Sequence, residues 1–320
     1  MGRRAKPLPG ARALNGWLVL DKPAGLSSAR AVAAVRAALR PMRIGHAGTL
    51  DPLATGVLPL ALGEATKTVG YAMAGEKAYR FTLRFGERRS TDDAEGAVVE
   101  TSAHRPADAA LAAALPRFIG AIDQVPPAYS AVRLGGRRAY ARARAGEAVT
   151  PAARRVVVRS LRLIVREGPE EAVLELVCGK GTYVRSLARD LAQALGTVGH
   201  VAALRRTRVG PFTEDMAIPL AKLPALGHSA AEFGHLLPVE TALDDIPALA
   251  VTGEEAAAIR QGRPVRVLGA GGPGPRETGR ELAPTALSDG TVVCAMDGTR
   301  PVALARYVAG EVRPVRVLNL

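Results

Sequence analysis

The chain has 320 residues, of which 48% are hydrophobic, and this length predicts one large domain joined to a smaller one. Its formal net charge of +13 indicates a polyanionic partner such as a nucleic acid. No apolar stretch approaches the roughly 18 residues that cross a bilayer, and Cys178 and Cys294 have no metal-ligand spacing, which argues against a membrane-spanning protein and a structural zinc site.

The N-terminal part of the chain is predicted to mix strands, turns and helices. Residues 1–12 predict a disordered basic tail, and because no apolar signal core follows it, we expect a cytoplasmic protein. Ser27 or Ser28 can cap a helix that runs to about Leu39. The other predicted elements are a strand at 17–20, a turn-rich segment at 45–59 that ends in a strand at 56–62, a short helix at 66–73 and a half-buried strand at 78–85.

The central part combines further strands with two helices. An amphipathic helix is predicted at 183–195, with leucines at a spacing of four residues, and Gly196 is expected to end it. Strands are predicted at 156–165, 173–177 and 200–209, and a helix at 108–118. Because strands and helices do not alternate regularly, we predict an α+β fold with a mixed, largely antiparallel central sheet flanked by helices and loops.

A second, smaller unit is predicted to begin near residue 246, so the domains are expected at 13–245 and 246–320. A helix-rich link should cover about 215–243, and Thr252 should cap the first helix of the second unit. Its predicted strands lie at 264–268, 292–296, 302–308 and 312–318. The motifs that carry chemistry all precede this unit, so we expect residues 1–245 to fold and to be active without it.

Two glycine-rich segments resemble nucleotide-binding motifs but do not satisfy them. Gly269, Gly271 and Gly274 match G-x-G-x-x-G, yet prolines interrupt the segment and no helix pattern opens there. Residues 179–182 resemble half of a phosphate-binding loop, but the first glycine at the required spacing is missing. We therefore predict no nucleotide cofactor at either segment.

The most informative segment is GHAGTLDPLATGVLP at residues 45–59. Glycines, prolines and threonines surround a single carboxylate, Asp51, with Thr49 and Thr55 as hydrogen-bond partners. Such a rigidly placed carboxylate can act as a nucleophile or a base without a cofactor. The alternative is that Asp51 only stabilises a turn before Pro52, and spacing alone does not decide between the two interpretations.

A basic segment lies in the middle of the chain. Residues 124–166 contain ten arginines and a single acid, Glu147. A solvated surface, or a general preference of the proteome for arginine over lysine, would also give such a run, but that preference does not explain the shortage of acids. We interpret the segment as a contact with nucleic acid phosphates.

These segments together resemble the motifs of the TruB family of tRNA pseudouridine synthases, in the order in which the family has them. The loop around Asp51 is similar to the family's GHTGTLDPLATGVLP, with Ala47 in place of the usual threonine. The resemblance covers about residues 15–212. Its other parts are LDKPAGLSS at 20–28, GEATK at 63–67, KAY at 77–79, PPAYSAVR at 126–133, with Arg133 where lysine is commoner, KGTYVRSL at 180–187 and LRR at 204–206.

The resemblance implies roles for individual residues. Asp51 would be the essential carboxylate, Arg185 its partner, and Tyr79 would stack on the target uracil. His46 would help to displace the flipped base, and Leu204 would line its pocket. Without the resemblance, Arg185 is a surface arginine, His46 a loop residue, and Tyr79 and Leu204 core residues. The remaining candidates for substrate binding are Lys22, which is otherwise structural, Lys77, Lys180, Tyr183, Arg137, Arg138 and Arg142.

The resemblance also implies the reaction and the partner. The expected activity is isomerisation of uridine at position 55 in the T loop of tRNA, by base flipping, with no cofactor or metal. An RNA-binding insertion is expected at about 124–150, and residues 246–320 resemble a PUA-like RNA-binding domain. We expect a monomer without an obligatory protein partner. Two alternatives are the same chemistry on another RNA, guided by partner proteins, and a non-catalytic RNA-binding or RNA-folding protein.

Overall fold

The computed structural model describes residues 9–226, 234–266 and 287–320. The first eight residues of the predicted tail, residues 267–268 of a predicted strand and the glycine-rich segment at 269–275 lie outside the described residues. Arg12, which the sequence placed in the tail, instead pairs with Pro41, and its backbone N–H lies 2.8 Å from the carbonyl oxygen of Arg40. None of the described helices is long and apolar enough to cross a lipid bilayer.

The described residues form twenty strands and six α-helices. The helices are α1 Ser28–Leu39, α2 Val69–Ala74, α3 Asp108–Ala114, α4 Ala139–Arg144, α5 Val184–Ala194 and α6 Gly253–Arg260. The strands are β1 Gly16–Lys22, β2 Ile44–His46, β3 Thr55–Leu62, β4 Lys77–Phe85, β5 Glu87–Arg89, β6 Val98–Thr101, β7 Gly120–Gln124, β8 Arg133–Leu134, β9 Arg137–Arg138, β10 Arg154–Glu167, β11 Glu171–Cys178, β12 Gly199–Val209, β13 Phe212–Thr213, β14 Ile218–Pro219, β15 Leu236–Leu237, β16 Ala248–Ala250, β17 Val265–Arg266, β18 Val292–Asp297, β19 Arg300–Val308 and β20 Glu311–Val317.

The central sheet has eleven strands, and its main path runs β14-β1-β3-β12-β4-β11-β10-β7. Within the described part of this sheet, β1 with β14 and β3 with β12 pair in parallel, while the other ladders are antiparallel. This confirms the predicted mixed, largely antiparallel sheet. The parallel pair of β3 and β12 matters for the site, because it brings the residues that follow Asp51 beside Arg205 and Arg206.

The main core lies on the face of the sheet that packs against α1 and α5. On β4, Phe81, Leu83 and Phe85 are buried on this face, as their alternation predicted, and Tyr79 packs against the same cluster. The leucines of α5 are buried against them. Antiparallel sheets commonly pack one face on the core and expose the other to solvent. The two-residue alternation of β4 in the sequence therefore predicts this one-sided burial.

The C-terminal unit is a five-stranded sheet in the order β16-β18-β19-β20-β17, covered by α6. The predicted cap of α6 is confirmed: Thr252 accepts a hydrogen bond from the backbone N–H of Glu255, whose side chain accepts one in return from the backbone of Thr252. Both cysteines are free and buried in separate parts of the chain, and burial raises their pKa values.

The end of β20 and the residue after it contact the N-terminal part of the chain. Leu318 is 1% exposed and belongs to a second hydrophobic cluster together with Trp17, Val57 and Phe212. Lys67 donates a hydrogen bond of 2.7 Å to the carbonyl oxygen of Val317. A fragment ending at residue 245 would lack Leu318 from this cluster, and the folding and activity of residues 1–245 alone stay a prediction.

Two further features differ from the sequence-based expectations. The link at 215–243 contains no α-helix among its described residues, 215–226 and 234–243; short 3-10 turns at Leu220–Leu226 and Val239–Leu243 and short strands take its place. Prolines at 219, 224 and 238 explain this, because proline removes a helical hydrogen bond and restricts the preceding residue. The hairpin of β5 and β6 was not predicted, since β6 is exposed throughout and shows no alternation.

Candidate active site

The loop that carries Asp51 connects β2 to β3 and is held by backbone contacts with the first motif. Ser28, the first residue of α1, donates a hydrogen bond of 2.9 Å to the carbonyl oxygen of Leu50 and accepts one of 2.8 Å from the N–H of the same residue. Gly25 donates a backbone hydrogen bond to the carbonyl oxygen of Pro52. The backbone on both sides of Asp51 is thus fixed to the start of α1, which makes the loop a rigid support for a carboxylate.

Arg185 and Asp51 form the ion pair that the motifs implied. Nη2 of Arg185 lies 2.9 Å from Oδ2 of Asp51; the arginine side chain is 5% exposed and the aspartate side chain 37%. The guanidinium also donates to the carbonyl oxygens of Thr91, at 2.8 Å, and Tyr129, at 3.0 Å. Because four contacts inside the protein fix the orientation of the guanidinium, it holds the partly exposed Asp51 carboxylate in place. The carboxylate is therefore both oriented and accessible to a substrate.

The fourth of these contacts is a carboxylate that the sequence analysis missed. Oδ2 of Asp93 lies 3.4 Å from Nη1 of Arg185, and the Asp93 side chain is 3% exposed. Its Oδ1 accepts hydrogen bonds from the hydroxyl of Thr91 and the N–H of Glu95. The buried guanidinium is thus shared between two carboxylates, one exposed and one buried. The sequence did offer one indication of this site: Asp92 and Asp93 are adjacent acids in a turn-forming stretch of a chain with few acids.

Tyr79 lies on β4 directly opposite Arg206 of β12. Burial raises the pKa of the Tyr79 hydroxyl, the charge of Arg206 opposes that rise, and the charge of Asp51 adds to it. Leu204, 8% exposed, precedes Arg206 on the same strand and belongs to the main core cluster, while its carbonyl oxygen is 3.4 Å from the hydroxyl of Thr55. Two strands therefore bring an aromatic ring and an aliphatic side chain to the same region as Asp51.

The side chains of Lys22 and Lys77 donate hydrogen bonds to backbone carbonyl oxygens. Nζ of Lys22 donates to the carbonyl oxygens of Pro23, at 2.8 Å, Leu26, at 2.6 Å, and Pro52, at 3.2 Å. Burial lowers the pKa of Lys22 to about 8, against the opposing effect of the nearby Asp51. Lys77 donates to the carbonyl oxygens of Met73, in the last turn of α2, and Gly75, which follows that helix, and burial lowers its pKa to about 8 as well. This placement favours a structural role for both over contact with RNA.

Tyr183 and Lys180 lie near the start of α5. Gln124 donates to the carbonyl oxygen of Tyr183 at 3.0 Å and accepts from its N–H at 2.7 Å, which fixes the residue two positions before Arg185. The Arg154 guanidinium lies 4.6 Å from the centroid of the Tyr183 ring, a cation–π distance. Lys180 is exposed. His46 ends β2 half-buried, and burial lowers its pKa, so the neutral ring is favoured near pH 7.

The predicted RNA-binding insertion contains the small hairpin of β8 and β9 and the helix α4. Arg137 and Arg138 are exposed, and Arg142 is partly buried. Glu147 pairs with Arg137 at 2.8 Å and with Arg142 at 2.6 Å. Since Glu147 compensates two of the arginines, the insertion offers fewer unpaired cations than its composition suggested.

Comparison with known proteins gives full-length matches. The N-terminal domain of TruB family pseudouridylate synthases matches residues 36–184, and the C-terminal domain of tRNA pseudouridylate synthase B matches residues 185–244. The chain is 48% identical over 309 residues to tRNA pseudouridine synthase B of Rhodospirillum rubrum, covering 97% of this chain and 98% of that protein. It is 50% identical over 320 residues to tRNA pseudouridine synthase B of Caulobacter vibrioides, covering 100% of both.

The fold is shared with more distant solved structures. The chain resembles a chain in the crystal structure of a Cbf5-Nop10-Gar1 complex, with a TM-score of 0.72 and 24% identity, over 100% of this chain and 91% of that one. A chain in the structure of an H/ACA RNP bound to a substrate RNA containing 2′-deoxyuridine gives a TM-score of 0.70 at 23% identity, with the same coverage. These likenesses confirm the fold class predicted from the sequence.

Proposed function

The chain belongs to the TruB family of pseudouridylate synthases, and on that premise we propose that it isomerises uridine to pseudouridine in tRNA, at position 55 of the T loop. The observation that carries this proposal is the ion pair of Asp51 and Arg185, with the guanidinium buried and the carboxylate partly exposed. The tRNA substrate follows the names of the relatives, and the position within it rests on the resemblance of the motifs.

The reaction exchanges one bond to the sugar for another. The bond between C1′ and N1 of uracil breaks, with Asp51 assisting as a nucleophile or a base. The uracil then turns within the site, C5 joins C1′, C5 loses its proton and N1 takes one up. The product has the same atoms as the substrate, so the chemistry requires no redox or group-transfer reagent. An adjacent guanidinium stabilises the ionised form of a carboxylate, which is the role of Arg185 in this scheme.

The remaining side chains serve to admit and hold the base. A uridine inside a folded RNA loop has to be flipped out before its glycosidic bond can reach Asp51, at a cost of a few kcal/mol. Stacking of the base on Tyr79 and its packing against Leu204 would offset part of this cost. His46, on the strand before the Asp51 loop, would occupy the space that the base leaves. The net charge of +13 favours the approach of the tRNA backbone.

The test is incubation of the purified protein with unmodified tRNA, followed by mapping of pseudouridine by carbodiimide-stopped reverse transcription. We expect one stop, at position 55, and none in a tRNA that carries cytidine there. Asp51→Asn should abolish the modification and retain tRNA binding. Asp123→Asn, which changes an exposed aspartate on β7, is the matched control and should be as active as the unsubstituted protein.

The alternatives predict different results in the same assay. A guided enzyme would leave free tRNA unmodified and would modify another RNA only when partner proteins are added. A non-catalytic RNA-binding protein would bind tRNA and leave every uridine unchanged, with or without Asp51. Substantial turnover by purified Asp51→Asn would remove that residue from the mechanism.

A further inference from the structure

Arg206 is a buried cation that the scheme above does not use. It lies on β12, two residues after Leu204, and is only 1% exposed. Its Nε donates to the carbonyl oxygen of Val57 at 2.8 Å, its Nη2 to that of Gly48 at 3.1 Å and its Nη1 to that of Thr49 at 3.3 Å. Two of these carbonyls precede Asp51 and one follows it. A single guanidinium therefore joins the two ends of the Asp51 loop.

The backbone of the loop is shaped around the same residue. Gly56 pairs with Arg206 in the parallel ladder of β3 and β12, and its φ is +96°. A Cβ at Gly56 would lie 2.3 Å from the carbonyl oxygen of Arg206, which is closer than real Cβ contacts. Gly48 has a φ of +102°, and a Cβ there would approach Nη1 of Arg206 to 3.5 Å. Both glycines thus allow the loop to close on Arg206.

Arg206 also lies beside Tyr79. The two residues are cross-strand partners in the antiparallel ladder of β12 and β4. A buried cation is costly unless its charge and its donors are satisfied. Here three backbone carbonyl oxygens accept hydrogen bonds from the guanidinium. Burial lowers the pKa of Arg206, and the charge of Asp51 opposes that shift. The Arg206 side chain is therefore an internal part of the site and not a surface cation.

We propose that Arg206 is a positioning residue, whose guanidinium fixes the Asp51 loop against β12, where Tyr79 of β4 is its cross-strand partner. This inference rests on the proposed function. It is distinct from the role of Arg185, which touches the carboxylate itself, because Arg206 acts through the carbonyls on either side of Asp51. A misplacement of reacting groups by about 1 Å costs on the order of 10²-fold in rate, so loss of this connection should act mainly on the chemical step.

The test compares Arg206→Lys with Arg208→Lys, a matched change on the same strand at a partly exposed arginine that pairs with Glu76. Lysine keeps the charge but cannot reproduce the planar fork that reaches carbonyls on both sides of the loop. Single-turnover rates are measured with enzyme in saturating excess, and tRNA binding is measured for affinity and stoichiometry. For Arg206→Lys we expect a rate constant lowered by about 10²-fold with affinity and stoichiometry preserved. Arg208→Lys should match the unsubstituted protein.

A merely structural role gives a different pattern. Partial misfolding would lower the fraction of protein that binds tRNA and leave the rate constant of that fraction unchanged, and this result would overturn the proposal. If Arg206→Lys does not fold by circular dichroism, Gly48→Ala replaces it, because alanine rarely adopts the φ of +102° that Gly48 has at one end of the loop, while the cation stays. An unchanged rate constant in that variant would likewise overturn the proposal.

A second measurement does not depend on activity. Hydrogen–deuterium exchange of peptides covering residues 47–58 reports how firmly the loop is held in the free protein. We expect faster exchange in Arg206→Lys and no change in Arg208→Lys; equal exchange in both contradicts the positioning role. If the unsubstituted protein leaves uridine unmodified, the proposed function fails, and the exchange result still decides whether Arg206 holds the loop.

Discussion

Asp93 and Asp51 bind the same guanidinium from opposite ends: Nη1 of Arg185 lies 3.4 Å from the buried Asp93, and Nη2 lies 2.9 Å from the exposed Asp51. One cation is thus shared between two carboxylates, and the Asp93 side chain is only 3% exposed. The proposed mechanism therefore assigns Asp93 the positioning of Arg185 and no direct contact with the substrate.

The first prediction follows from this arrangement. Asp93→Asn keeps the size and a hydrogen-bond acceptor but removes the charge that holds Nη1. We expect the single-turnover rate to fall by about 10²-fold, because Arg185 no longer has one fixed orientation, while tRNA affinity is unchanged. Asp190→Asn, at a half-buried aspartate on α5 that pairs with Arg189, is the control. Equal rates for the two variants would show that Asp93 serves only the fold.

The second prediction concerns Arg185→Lys. Lysine cannot reach Asp51, Asp93 and the carbonyl oxygens of Thr91 and Tyr129 at once, because its donors radiate from one nitrogen. We expect the chemical step to slow by at least about 10²-fold and binding to change little. Arg189→Lys, one turn further along α5, is the comparison. A parallel loss of rate and affinity in Arg185→Lys would mark it as a general phosphate contact.

The third prediction concerns the salt dependence of tRNA binding. Each phosphate neutralised by a cation contributes a slope of about −0.9 to log K against log salt on duplex RNA or DNA, by analogy with B-DNA. Replacing Arg137, Arg138, Arg142 and Arg144 with alanine should flatten that slope. The double change of Arg138 and Arg144 should account for most of the effect, since Glu147 already pairs with the other two.

Arg117→Ala, at an exposed arginine outside the insertion, is the control for that experiment. Filter-binding curves at four or more salt concentrations give the slopes. An unchanged slope in the quadruple variant would mean that the insertion is only a solvated surface.

The fourth prediction concerns the packing of the C-terminal strand on the second hydrophobic cluster. Leu318→Ala should lower the free energy of unfolding by about 2–5 kcal/mol, as expected for a leucine removed from a packed core. Leu320→Ala is the matched control, because Leu320 is 48% exposed and should change stability by less than about 0.5 kcal/mol. Thermal and urea unfolding measure both. Similar values for the two variants would show that the cluster does not depend on Leu318.

The sequence predicted the regular elements well wherever one face of an element is buried. The two-residue alternation of β4 and the four-residue spacing of α5 correspond directly to burial, so both were placed within one or two residues. The link before residue 245 was predicted as helical and is not so in its described residues, because its leucines and alanines suggested a helix that its prolines interrupt. The division into domains at residue 245 stays a prediction.

The site was only partly accessible from the sequence. Asp51 and Arg185 were found through the resemblance, whereas spacing alone left Asp51 undecided. Asp93 was missed because it lies in an irregular turn between the short strand β5 and the exposed strand β6, where no periodicity indicates burial. Arg206 was missed for the opposite reason: an arginine is expected at the surface, and only the three-dimensional structure shows that its partners are backbone carbonyls.

The contacts between the C-terminal strand and the Asp51 region also have a consequence for synthesis of the protein. Lys67 and Val317 are 250 residues apart, and the backbone N–H of Asn319 binds a carboxylate oxygen of Glu64 across 255 residues. Contacts of such long sequence separation form late, because the chain must close a large loop first. On the ribosome, the cluster beneath the Asp51 loop stays incomplete until residue 318 has left the exit tunnel. A nascent chain can therefore form most of the central sheet early, while the cluster beneath the Asp51 loop is completed only when Leu318 has emerged.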